Sequence, residues 1–241
     1  MAKLCGFAGA CAVLAVAMAG CVGGEATKQT AGGDRGLNPI ENYKQARFRE
    51  AIRGLDYSSG RVTINELEAR EVVPPGSPLK FDEQMEEADA LLLDNAYVES
   101  IAAFTKAVIL NPESADAYVG LAKSLRTKGE LDMGLAALRT SLDLRPDHIG
   151  TRFLHAEFLW QNNETAESKA ALEELTTLPA FTDEDRKYQG EAWRMLASAY
   201  WYDGNPRKAQ DAAHKAIENG VDVPPQLLDL INEALAKGGV R

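Results

Sequence analysis

Four turn residues constrain this chain more than any other feature. Asn95, Gly129 and Asn163 lie 34 positions apart, and Gly204 follows at 41, one period with seven inserted residues. Pro112 and Pro146 keep the same interval. A fixed period of this length marks a chain of stacked supersecondary units, none of which can bury its apolar face alone. In register the units are 81–114, 115–148, 149–182 and 190–223, which aligns Ala88, Ala122, Ala156 and Ala197 in one column and Ser100, Gly134, Ser168 and Ala209 in another. Two antiparallel helices approach closely only where both present a small side chain, so the columns predict a helix pair in every unit.

Larger residues fill the space beside that crossing: Leu91, Leu125, Leu159 and Tyr200 on first helices, and Phe104, Leu138 and Leu172 on second helices. Gly and Asn in the turn column suit left-handed backbone angles. Proline after a second helix suits its end. The pattern resembles the tetratricopeptide repeat family, on Tyr118, Leu121, Ala122, Leu125, Gly129, Leu138 and Pro146 in the second unit and Trp193, Leu196, Ala197, Tyr200, Gly204, Ala209 and Ala216 in the last. The resemblance covers about 140 of 241 residues. It implies an all-α solenoid of four helix-turn-helix repeats. Gln84 and Glu87 in the first repeat, and Arg152 and His155 in the third, stand where the pattern has large packing residues, so those helices either pack less tightly or meet other segments.

Both flanks of the array are legible. Residues 183–189 are the insertion, and Thr182 with Asp185 is spaced to cap a first helix that starts early. A capping helix is expected over 224–238, with Pro225 near its start, Leu227, Leu228, Ile231 and Leu235 as its stripe and Gly238 past its end. Upstream, residues 39–80 form a short helical segment and a hinge. From Glu41 to Leu55 the residues Phe48, Ala51, Ile52 and Leu55 make one helical stripe, and Lys44, Arg47, Arg49 and Arg53 lie on the other face. This basic helix fits either the membrane surface or a cap on the first repeats, its arginines pairing with carboxylates there. Thr63 and Glu66 have capping-box spacing, and Pro74, Pro75, Gly76 and Pro78 end that segment, so the array should begin near Phe81.

The first 20 residues carry one charge, Lys3, followed by small and apolar residues to Ala19, as in a secretory signal. Leu14 to Cys21 resembles a bacterial lipobox, which implies cleavage before Cys21 and lipidation of its thiol; Ala17-Met18-Ala19 also suits ordinary signal peptidase. Val22 after the cysteine, where aspartate would favour inner-membrane retention, points by the same resemblance to an anchor on the periplasmic side of the outer membrane. The alternative is a secreted or soluble periplasmic chain. Residues 21–38, rich in glycine and small polar residues, read as a flexible tether.

Charge and cysteine content exclude several functions. The net charge is −10, which disfavours nucleic acid, and removing residues 1–20 leaves 25 basic against 36 acidic residues. Cys5, Cys11 and Cys21 are the whole cysteine content, so the repeats contain neither a disulfide nor a cysteine-based zinc site. His148, His155 and His214 have no partner at catalytic or metal-ligating spacing, and no phosphate loop or hydrolase motif occurs. His155 falls on the column of Leu121 and Leu196, which makes it a packing residue. No catalytic residue, metal or cofactor is expected.

First helices of such a stack line its concave side, and the residues between their packing columns form a groove. These are Val119, Lys123 and Arg126; Phe153, Glu157, Trp160 and Gln161; and Arg194, Ser198, Trp201 and Tyr202. Aromatic and arginine side chains dominate many binding energies, and the cations suit a carboxylate or acidic side chain of a peptide. Trp160 and Trp201 equally suit the packing between repeats. At the positions where the family's carboxylate-clamp subtype has Lys and Asn in its first repeat, this chain has Met85 and Asp89. The expected function is therefore a non-catalytic scaffold binding a peptide or helix of another envelope protein. Repeat lipoproteins of this layout assist the assembly of pili, secretion pores and outer-membrane complexes. Self-association through the groove, for instance with helix 41–55 of a neighbour, is the rival, and an envelope enzyme using paired carboxylates is a distant third.

Overall fold

The computed structural model describes residues 39–238. The expected signal peptide, Cys21 and tether lie outside the described residues. By contacts the chain divides into residues 1–42 and 43–241, and the architecture below is that of the second unit. The helices are α1 (Pro39–Ala51), α2 (Glu66–Val72), α3 (Phe81–Leu93), α4 (Tyr97–Leu110), α5 (Ala115–Lys128), α6 (Leu131–Leu144), α7 (Ile149–Gln161), α8 (Thr165–Leu175), α9 (Asp183–Tyr202), α10 (Pro206–Glu218) and α11 (Pro225–Ala236). Strands β1 (Leu55–Asp56) and β2 (Thr63–Ile64) form one antiparallel ribbon, with Leu55 opposite Ile64 and Asp56 opposite Thr63.

Helices α3 to α10 are four consecutive pairs, and each second helix packs on the first helix of the next pair. Every turn-column residue adopts the left-handed conformation: φ is 60° at Asn95, 93° at Gly129, 66° at Asn163 and 71° at Gly204. The four alanines of the crossing column have no accessible surface, and neither do Ser100, Ser168 and Ala209 opposite them. The serines do more than occupy little space. Ser100 Oγ donates to the Ala88 carbonyl at 2.9 Å and Ser168 Oγ to that of Ala156 at 2.7 Å, so each small residue also bonds across the pair it separates.

Buried side chains form two clusters. One runs from the N-terminal segment through Phe104, Leu121, Leu125, Leu138, Phe158 and Leu159; the other gathers Phe153, Ala156, Leu172, Leu196, Ala213 and Val223. The division falls within α7, whose opposite faces serve both clusters. Helix α9 begins early, as its capping box predicts: Thr182 Oγ1 accepts from the Asp185 amide at 3.0 Å, while the Asp185 carboxylate accepts from the Thr182 amide at 2.9 Å. Helix α11 starts at Pro225, buries Ile231 against the last repeat and ends before Gly238, where φ is 96°.

The N-terminal segment is seated on the second helices of the first two repeats. Phe48, Ala51, Ile52, Leu55 and Val62 join the core there. Arg47 pairs with Glu99 on α4, Arg61 with Asp143 on α6, and the Val62 amide donates to Thr140 Oγ1 on α6 at 2.8 Å. Lys128 stands over the Phe48 ring at 4.9 Å. The apolar stripe of α1 is thus covered by its own chain, as in the cap reading of the sequence.

Two local expectations are corrected. The helix read to Leu55 ends at Ala51, because the chain reverses at Gly54, with φ of 89°, and Leu55 enters the ribbon. A Cβ at Gly54 would stand 3.0 Å from the Ala69 Cα, so this turn also needs glycine for its approach to α2. The cap of α2 is Asn65, whose side chain accepts from the Leu67 and Glu68 amides, while Thr63 belongs to β2.

Candidate functional site

The candidate surface is the row of first-helix residues left between the packing columns. A helix in this array buries its crossing face against its pair and its flanks against neighbouring repeats, so one stripe of each first helix remains available to a ligand. Val119 is half-buried and Lys123 exposed on α5; Trp160 is half-buried on α7, as are Ser198 and Trp201 on α9. Tyr202 at the end of α9 is 50% exposed.

The structure brings several of these residues together. Arg126 on α5 reaches Glu157 on α7 at 2.9 Å, with both side chains about two-thirds covered. Gln161 donates to the same carboxylate at 3.4 Å, and the Arg126 guanidinium also stands 5.1 Å from the Phe158 ring centroid. Arg126 and Glu157 therefore bridge the second and third repeats and neutralise each other. Trp201 and Tyr202 meet edge to face with centroids 5.2 Å apart.

Other expected site residues are placed differently. Phe153 is buried, and Tyr188 from the early start of α9 covers it at a centroid distance of 5.6 Å. Arg194 bonds Glu191 on its own helix at 2.7 Å. Of the three cations assigned to a partner's carboxylate, Arg126 and Arg194 thus already have carboxylates, and Lys123 alone forms no ion pair among the described residues. Sequence reasoning missed Tyr188 as a wall residue. The seven-residue insertion was its signal, since it lengthens a first helix by two turns. It also passed over Leu93, which is 82% exposed at the end of α3, in the register of Gln161 and Tyr202.

Substituted packing positions find other uses. Arg152 donates to the Pro146 carbonyl at 2.6 Å and pairs with Glu174 at 2.8 Å. Gln84 is buried and donates to Glu87 at 3.0 Å. His155 is half-buried, and burial, helped by the nearby charge of Arg139, holds its pKa down at about 4. Among the described residues no group of three or more His, Cys, Asp or Glu is arranged to hold a metal, and no helix is long and apolar enough to cross a membrane.

Stacked helix pairs with left-handed turns at a 34-residue period define an α-solenoid of helix-turn-helix repeats. Residues 85–149 match the tetratricopeptide repeat family model, and the fold is that of a tetratricopeptide repeat solenoid. The structure from "Functional Characterization of Pseudomonas aeruginosa pilF" aligns with a TM-score of 0.54 at 18% identity, covering 65% of this chain and 68% of the other. MamA protein aligns with a TM-score of 0.52 at 17% identity, covering 65% of this chain and 86% of the other. At these identities the likeness is one of fold. No curated protein matches the sequence.

Proposed function

We propose that this chain is a non-catalytic scaffold of the bacterial envelope, held at Cys21 by a lipid on the periplasmic side of the outer membrane, which binds a peptide or helix of another envelope protein along its first-helix face. The observation that carries this reading is the Trp201–Tyr202 pair at the C-terminal end of α9, Trp201 half-buried and Tyr202 50% exposed, on the stripe that the packing leaves open. Aromatic side chains that keep part of their surface in water at such a stripe bury large area on binding and freeze few rotamers. Trp160 on the preceding first helix extends the same row. With Arg126 and Arg194 engaged internally, the favoured ligand is held by apolar and aromatic contact rather than by a carboxylate clamp.

Service in pilus, secretion or outer-membrane assembly is the fitting role, by analogy with repeat lipoproteins of this layout. The self-association rival loses its nearest ligand, because α1 is seated on its own repeats. The test displays the chain from residue 22 onward on beads and captures proteins from solubilised envelope. Partners that are lost with the Arg194→Ala, Trp201→Ala double variant, at unchanged helicity, support the groove; identical capture by both moves the contact elsewhere. Intact mass of the mature protein decides the anchor, since a free Cys21 thiol rules out the lipid.

A further inference from the structure

On the second-helix side of the array, away from the groove, the ribbon, α6 and the residue preceding α8 line an open pocket of about 250 Å³. Its apolar wall is Met133, Leu135 and the ring of Tyr57, and its charged groups are Asp132, Arg139 and Glu164. These charges are not paired with one another. The Nδ2 of Asn162 donates to Asp132 at 3.0 Å and to Glu164 at 2.7 Å, so two carboxylates converge on one neutral amide with no cation between them. Arg139 is half-buried, lies against Gly60 and makes neither an ion pair nor a hydrogen bond among the described residues. The Tyr57 hydroxyl is buried without a hydrogen-bond partner.

Asp132 and Arg139 are seven positions apart on α6, about 10 Å along its axis. The pocket thus holds two carboxylates without a cation at one end, an unpaired guanidinium at the other and an apolar wall between. A free amino acid carries its ammonium and carboxylate on one carbon and is too short for both ends. Two or three extended residues span about 7–10 Å.

We propose that this pocket binds a short zwitterionic peptide of two or three residues, its ammonium between Asp132 and Glu164, its carboxylate on Arg139 and an apolar side chain against Met133, Leu135 and Tyr57. Charge-assisted hydrogen bonds form at both ends: the peptide carboxylate balances Arg139, and the ammonium offsets one of the two carboxylate charges that converge on Asn162. The walls come from the N-terminal segment and from repeats two and three, so an occupied pocket ties these together and stabilises the fold by linkage.

The test uses the full chain with alanyl-leucyl-alanine, followed by calorimetry and thermal denaturation. The free tripeptide should raise Tm by about 4 °C at ten times its Kd. Its N-acetylated and C-amidated forms should each bind at least about tenfold more weakly, since each lacks one charge. Arg139→Gln and Glu164→Gln should each abolish the shift. Glu164 makes no capping hydrogen bond to α8, so its variant keeps the fold should Arg139→Gln not. The absence of heat and of any shift at about 10 mM tripeptide, a concentration that reaches even millimolar affinity, overturns the proposal. So does equal binding of the blocked forms, or an undiminished shift in folded Glu164→Gln.

Discussion

At Gly120 the ring of Phe104 lies where a Cβ would stand, because the second helix of repeat one packs directly on the first helix of repeat two. Gly120→Ala must displace a ring with no accessible surface, and the expected cost is about 1–3 kcal/mol, read from the urea midpoint at unchanged m. The turn column offers the opposite case. Asn163 has φ of 66°, so Asn163→Gly should change stability little, whereas a β-branched residue there is strained. His155 makes stability depend on pH. Its folded pKa of about 4 lies below the ordinary 6.5, so the neutral form is favoured in the fold. That contribution is fully present above pH 6.5 and is lost as pH falls toward 4. It amounts to about 3 kcal/mol at most. His155→Leu, which restores the residue type of Leu121 and Leu196, should flatten the urea midpoint across that window; an unchanged slope would place the acid sensitivity in carboxylates instead.

Among the elements, the N-terminal segment is held by burial more than by charge. The Arg47–Glu99 and Arg61–Asp143 pairs leave their side chains 43–59% exposed, and surface pairs of this kind contribute about 0–1 kcal/mol. Leu55 is 8% exposed in the same interface, and Leu→Ala at such a site costs about 2–5 kcal/mol. Hydrogen exchange should therefore accelerate across α1, the ribbon and α2 in Leu55→Ala, while α9 and α10 keep their protection. In Arg61→Ala it should barely change. The early start of α9 is likewise an element-scale device, since its first two turns bring Tyr188 over Phe153 and turn an expected groove residue into core.

Over the whole molecule, stability follows from neighbours touching neighbours. The core divides within α7, and a solenoid with two buried clusters transmits a local loss only as far as the next interface. Leu196→Ala should lower the protection of α9 to α11 first and leave α4 and α5 near their native values. Deleting residues 225–241 removes Ile231, 1% exposed, and uncovers the apolar face of α10. The shortened chain should self-associate in light scattering where the full chain stays at one mass, because an unfinished solenoid end is an exposed patch. Unfolding in more than one step by circular dichroism would accord with the divided core.

The 34-residue period, the left-handed turns at Asn95, Gly129, Asn163 and Gly204, the Ala and Ser columns, the capping box at Thr182 and the terminal helix after Pro225 were all determined by the sequence itself. Each rests on a local rule: a backbone angle few residues tolerate, a helix crossing that admits only small side chains, an amide that needs an acceptor. Helical spacing likewise picked out a first-helix stripe, on which Lys123, Trp160, Trp201 and Tyr202 keep accessible surface while Phe153 is buried. The partners of these residues were not legible. That Arg126 meets Glu157, that Tyr188 covers Phe153, that Leu55 leaves its helix for a ribbon, and that Asp132, Glu164 and Arg139 face one pocket all depend on residues brought together from distant parts of the chain. Only the tertiary structure decided them, because a side chain's partner is set by which helices become neighbours, and no local preference records that.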